Sequence, residues 1–258
     1  MRDRKRRIRG AGVLVAAIAL AAGQAAAVEP NVKTIAAGLN YENLTRTVFW
    51  KGDAASSKIQ VNLVQARADL EFAKGIVVSL TAGLVLTDFK SLTFTSLPIS
   101  LQYAGAPLKG LAFGAEIVAP FAKFSDIEIS GAGRFVYSFA MSKTWPLEGF
   151  AVEGKARGES NWAEVAVGPR VSYLFFGRVV PYVEIFARWL GAGFKMTETL
   201  GDLGGTESKR VRGDFSFSAG LGADAAVSDR VVVKAKVGIL PFAGGVDGLV
   251  SVGILYKF

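Results

Sequence analysis

Neither cysteine nor histidine occurs in the 258 residues of this chain. Without Cys there is no disulfide framework, thiolate metal site or Cys nucleophile. Without His the commonest general base, the Ser-His dyad and most zinc or transition-metal sites are also gone. Few reaction classes survive both absences, so the expectation is a non-enzyme with no metal and no cofactor. Charge is sparse as well: 20% of residues are Asp, Glu, Lys or Arg, against 51% hydrophobic.

The formal charge of +8 does not mark a nucleic-acid binder. Residues 1–10 hold Arg2, Arg4, Lys5, Arg6, Arg7 and Arg9 against Asp3, and residues 11–27 are uncharged. The rest of the chain carries 24 basic and 21 acidic residues, with no basic stripe to neutralise phosphates. Residues 1–27 have the layout of a cleaved export signal: a basic start, the apolar run 11–23, then Ala25 and Ala27 in an A-x-A pattern. The run is rich in Ala and falls short of the ~18–20 residues of a spanning helix, which disfavours an uncleaved anchor. Arg6-Arg7 lacks the other features of a twin-arginine signal. The mature chain is expected to start near Val28 and to form one domain over residues 28–258.

Beyond residue 30 helical periodicity is nearly absent and period-2 alternation recurs to the end. Val250, Val252, Ile254, Tyr256 and Phe258 share one strand face, as do Phe215, Phe217, Ala219, Leu221, Ala223 and Ala225. Twelve candidate strands emerge: 33–48, 58–72, 76–87, 97–104, 111–121, 127–140, 149–157, 162–176, 180–194, 214–227, 231–239 and 249–258. The segments 97–104 and 149–157 are marginal, and the count falls to ten without them. Within 58–72, Gln60 and Asn62 sit in one phase and Gln65, Arg67 and Asp69 in the other, which predicts a bulge near Leu63–Val64.

Short connections (73–75, 177–179, 228–230) alternate with longer polar ones (50–57, 89–96, 195–213). This is the arrangement of an up-and-down transmembrane antiparallel β-barrel, all-β, with short periplasmic turns. A soluble barrel alternates too, with its apolar face inside. Two features favour the lipid-facing sense. The lumen of a twelve-strand barrel is too wide to fill with modest Val, Ala and Leu side chains. Aromatics also gather near predicted strand ends, as interfacial girdles do. Phe72, Tyr103, Phe113, Tyr173, Phe175, Tyr256 and Phe258 fall at the periplasmic end, and Phe49, Trp50, Phe121, Trp162, Trp189 and Phe194 at the other.

The terminal stretch Val252-Gly253-Ile254-Leu255-Tyr256-Lys257-Phe258 alternates and closes on Phe. It resembles the C-terminal signature of Gram-negative outer-membrane β-barrel proteins, and the stretches 178–184 and 227–231 are similar to periplasmic turns of small porin-like barrels. The resemblance implies residence in the outer membrane among its lipids. It also implies Tyr256 and Phe258 as an assembly signal, with periplasmic chaperones and the barrel-assembly machinery as partners. Enzymes of that superfamily rely on a catalytic His, which this chain lacks; the neighbouring pairs Ser142-Lys143 and Ser208-Lys209 point their side chains apart.

If the apolar faces meet lipid, the polar phases line the lumen. Arg67, Glu116, Arg134, Lys155, Arg170, Glu184, Arg188, Asp224, Lys234 and Lys236 are the expected pore-lining residues. The turn centred on Asp229 sets Asp224 opposite Lys234, and the 177–179 turn brings Arg170, Glu184 and Arg188 together. Glu198, Asp202, Glu207 and Asp214 match no EF-hand spacing and are expected to be solvated. The favoured function is passive diffusion of small hydrophilic solutes through a narrow charged lumen. The alternative is a non-conducting structural or adhesive barrel acting through loops 50–57 and 195–213.

Overall fold

The computed structural model describes residues 32–51, 56–103, 107–149, 151–211, 214–242 and 245–258. The export-signal segment 1–27 and the expected start at Val28 lie outside the described residues, as do residues 52–55 of loop 50–57. Thirteen strands follow in order: β1 (Val32–Phe49), β2 (Ser56–Phe72), β3 (Val77–Lys90), β4 (Leu92–Phe94), β5 (Leu101–Tyr103), β6 (Leu108–Phe124), β7 (Ile127–Leu147), β8 (Gly154–Tyr173), β9 (Val179–Leu200), β10 (Leu203–Arg210), β11 (Asp214–Ala226), β12 (Val231–Phe242) and β13 (Gly245–Lys257). All pairings are antiparallel, and β9 closes onto β8 to complete a ring.

Eleven strands share the ring, but they make ten staves. β10 pairs with Gly193–Leu200 of β9 and β11 with Val179–Leu190, so the two are successive halves of one stave. The marginal segment 97–104 supplies β5, which pairs only with β4 in a small hairpin. The other marginal segment merges with 162–176 into the single long strand β8. The shorter of the two expected counts therefore describes the wall.

Counting the hairpin as a stave also inverted the direction assigned to 111–121. β6 runs from the rim bearing the β4–β5 hairpin to the rim of short turns, so Phe121 and Phe124 sit with Tyr173, Phe175, Phe176, Tyr256 and Phe258 at the short-turn end. That end is periplasmic in barrels of this design. Phe113 lies instead in an outward cluster with Phe135, Tyr137 and Phe139. Of the expected outer girdle, Phe49 and Trp189 face outward, whereas Trp50, Trp162 and Phe194 point inward and are buried, as is Tyr103.

The inward error has one physical cause, visible along β8. Its outward residues read Lys155, Arg157, Glu159, Asn161, then Ala163, Val165, Val167, Val171 and Tyr173. The first four are above the lipid and face water; the rest face lipid. Inward, the order is reversed, with Ala156 and Trp162 giving way to Glu164 and Arg170. Residues keep their side of the wall while the surroundings change, so the apolar face swaps sides at the outer membrane surface. In β2 Ile59, Val61, Leu63, Gln65, Arg67 and Asp69 all point inward, and the strand runs without the expected bulge. Register shifts occur instead in β1 at Val32/Thr34, opposite the last residues of β2, and in β6 and β7 at Lys109/Leu111, Pro120/Ala122 and Ser138/Met141, where Ala140 takes φ 54°.

Leu39 is an outward residue near the middle of the lipid-facing stretch Ile35–Tyr41, while Asn43 lies just above it. Leu39→Arg is expected to destabilise the membrane-inserted barrel by about 2–4 kcal/mol and Asn43→Arg by about 0–1 kcal/mol. Denaturant unfolding in lipid vesicles measures both.

Candidate functional site

The interior has two layers. In the periplasmic half, long charged side chains meet across the lumen, and they fit because glycines face them. A Cβ on Gly222 would lie 2.3 Å from the Tyr182 ring, and one on Gly220 would lie 3.2 Å from Glu184 Cγ. Small and large side chains thus alternate to fill a narrow barrel.

Eight charges form a chain of alternating sign. Asp224 accepts from Lys234 at 3.1 Å, Lys234 also reaches Asp69 at 3.2 Å, and Asp69 holds Arg67 at 2.7 Å. Arg67 continues to Glu116 at 3.2 Å, Glu116 to Arg170 at 3.2 Å, Arg170 to Glu184 at 3.0 Å and Glu184 to Lys236 at 3.0 Å. The chain starts beside β12, visits β2, β6, β8 and β9, and returns to β12, so it makes a circuit of the lumen. Several links join staves that are not neighbours: β3 separates Arg67 from Glu116, and β7 separates Glu116 from Arg170. Hydroxyls complete the circuit, with Arg67 donating to Ser79 at 2.8 Å.

Two further pairs lie inside the wall. Arg188 donates to Glu164 at 2.6 Å and to Ser218 at 2.7 Å, and all three are buried. Arg134 of β7 donates to Glu42 of β1 at 2.5 Å. Four steps around the ring separate those staves, so this pair bridges nearly the full bore. With both pairs included, six carboxylates (Glu42, Asp69, Glu116, Glu164, Glu184, Asp224) balance six cations (Arg67, Arg134, Arg170, Arg188, Lys234, Lys236). The cavity between them has a volume of about 50 Å³, room for about three or four waters.

Above this layer the lumen is largely apolar, although Arg46, Glu198, Lys209 and Asp247 are buried there too. Leu44, Val48, Ile59, Val61, Leu63, Val85 and Leu108 are all at most 2% exposed. The β4–β5 hairpin folds into the mouth: Phe94 and Tyr103 pack on Phe194 with ring centroids 5.4 and 5.3 Å apart, and Phe89 meets the same ring at 5.0 Å. The Ser96 amide donates to Glu207 at 2.7 Å, tying the hairpin's loop to β10. Trp162 donates its indole N–H to Thr87 at 3.2 Å, which satisfies a polar atom in a largely apolar layer.

Nine of the ten residues expected to line the lumen lie inside the barrel. Lys155 does not: it points outward on the part of β8 above the lipid, because the polar phase faces water there. Asp224 and Lys234 stand opposite each other as the turn predicts, and so do Arg170 and Glu184. Arg188 pairs with Glu164 rather than joining Arg170. Glu42 was missed, though it alternates with the lipid-facing Leu39 and Tyr41 and that phase could have revealed it. Glu198, expected to be solvated, is buried.

Breaking a buried pair strands its partner. Glu164→Ala is expected to lower stability by about 3–5 kcal/mol, whereas Glu164→Leu with Arg188→Met is expected to be near neutral, since apolar replacement of both charges removes the desolvation penalty. Guanidinium unfolding of the two variants checks this.

No known protein family and no curated protein matches the sequence. Solved structures do match. The outer-membrane protease OmpT from Escherichia coli superposes with a TM-score of 0.52 over 90% of this chain and 99% of that one, at 9% identity. The translocator domain of the autotransporter NalP from Neisseria meningitidis gives 0.45 over 98% of both chains at 14% identity. The attachment invasion locus protein Ail of Yersinia pestis gives 0.33 over 87% of this chain and 97% of that one at 12% identity. At such identities the likeness is one of fold. By that fold the chain is an antiparallel β-barrel, similar in architecture to the outer-membrane protease OmpT.

Proposed function

We propose that this chain is a closed outer-membrane barrel whose working surface is extracellular, and that it neither conducts solutes nor catalyses a reaction. The observation that carries this reading is the filling of the bore. Glu42–Arg134 crosses it, and the apolar layer with the inserted β4–β5 hairpin caps it. The passive-diffusion function expected from the sequence would need water and solute to pass both layers. It draws support from the charged circuit, but balanced, mutually paired charges have none left over to select an ion. A non-enzymatic role is supported by the absence of His.

The strands β7 to β10 extend above the lipid with polar outward faces over the apolar layer. That construction gives a folded platform on which a receptor or adhesive surface can be held rigidly. At the other end, Phe258 is 80% exposed while its amide donates to the Ile35 carbonyl. Tyr256 accepts from Arg230 at 2.9 Å. The terminal side chains are therefore presented beside a fixed backbone, which suits recognition by the barrel-assembly machinery after delivery by periplasmic chaperones.

Two measurements test this. Purified barrel, with folding and insertion verified, is expected to leave a planar bilayer silent; discrete reproducible conductance steps would restore the diffusion pore. Deleting Phe258 is expected to reduce the amount of assembled barrel in the outer membrane several-fold. Unchanged assembly would remove Phe258 from the signal.

A further inference from the structure

The geometry points to a binding site for the phosphate of an outer-leaflet lipid headgroup on the outer wall, where β8, β9 and β10 run side by side. Three rows of residues lie in register there. Asn161, Gly193 and Arg210 form one, Ser160, Phe194 and Lys209 the next, and Glu159, Lys195 and Ser208 the third. The middle row points inward and is buried; Asn161, Lys195, Ser208 and Arg210 are exposed on the outward face. These nine residues surround a recess of about 300 Å³. Its floor is Gly193, over which the Asn161 side chain leans, with Oδ1 3.2 Å from where a Cβ would stand. Gly191, the next outward residue below, has nothing within 4 Å of its own Cβ position, so the wall is bare under the recess.

Charge and height identify the occupant. Arg157, Lys195 and Arg210 bring three cations to this face against one carboxylate, Glu159, which Arg157 already holds at 2.8 Å. Among the described residues neither Lys195 nor Arg210 has a carboxylate within 4.0 Å. Asn161 and Ser208 add neutral donors. Below, Trp189 and Phe215 face outward with ring centroids 5.1 Å apart and belong to the outer aromatic belt. Gly193 follows Trp189 by four residues on β9, about 13 Å along a strand and about 10 Å in height at the usual tilt. A lipid whose acyl chains lie along Trp189, Phe215 and Phe217 thus brings its headgroup phosphate to Arg210 and Lys195. Two cations and a hydrogen-bonding rim suit a phosphate oxyanion, and the sideways aspect of the recess suits one that arrives on a lipid.

The test uses full-length mature barrel purified from outer membranes and titrated in detergent with lipid A, with dephosphorylated lipid A, and with inorganic phosphate as competitor. Lipid A is expected to bind. Its dephosphorylated form and the Lys195→Ala/Arg210→Ala variant are each expected to weaken binding about thirtyfold, from about 1 kcal/mol per basic residue at a membrane surface. Gly193→Leu fills the recess without changing charge and is expected to abolish the same binding. Equal binding of the dephosphorylated lipid overturns the proposal on the unmodified protein, whatever the folding of the variants. So does unchanged binding by either variant once heat-modifiable migration shows it folded. Displacement of lipid A by an equal concentration of inorganic phosphate would make this a free-anion site and overturn the lipid assignment.

Discussion

The requirement that no charge stand unpaired inside a narrow, low-dielectric bore organises the lower half of this barrel. Removing an ion from water carries a penalty of several kcal/mol, recovered only when partners and hydrogen bonds surround it. The circuit from Asp224 to Lys236 meets that condition by alternating sign at each step, so every interior member has an opposite charge on both sides. Its geometry in turn dictates where side chains must be absent. Tyr182, stacked under the Arg170 guanidinium at 4.2 Å, occupies the space that a side chain at Gly222 would need. Links that skip a stave also hold the ring's cross-section in a way that neighbouring-strand hydrogen bonds alone do not.

The upper half obeys the opposite rule with the same strands. Once the wall rises above the lipid its outer face meets water, and apolar side chains gain by turning inward as in a soluble barrel. Leu190, Phe194 and Met196 of β9 accordingly share an inward face with Glu184 and Arg188. The boundary between the layers is the outer surface of the bilayer, read from inside the protein. Trp162 lies at the change on β8, the last inward aromatic before Glu164, with its N–H satisfied by Thr87 inside the apolar layer.

Much of this was legible in the chain. Alternation located most staves, and hairpin arithmetic placed Asp224 against Lys234 and Arg170 against Glu184, because both follow from local turns. Contacts such as Arg67–Glu116 and Glu42–Arg134 were not legible, since they depend on ring closure between residues 49 and 92 positions apart. The switch in β2 from Ile59, Val61 and Leu63 to Gln65 and Arg67 was visible, but a period-2 pattern records polarity and not direction. A change of surroundings and a bulge leave the same trace, and only the continuous register with β1 and β3 separates them. The hairpin at 97–104 looked like a stave because its residues suit a strand; what removes it from the wall is that its pairing ends with β4.

A polar interior in the membrane-spanning half is also what allows the chain to reach its membrane. With apolar residues on both faces, segments such as 179–190 would become long continuous apolar runs, retained as helices in the inner membrane or prone to aggregate before assembly. Glu184 and Arg188 within β9, and Glu164 and Arg170 within β8, interrupt those runs at intervals of four and six residues. An open lumen would serve that purpose equally well. Here the same charges are drawn into pairs once the ring closes, so the interruptions needed for transit become the filling of the finished barrel. On the closed-barrel reading proposed above, the outer rim and the lipid-facing wall are the surfaces that meet anything beyond the protein itself.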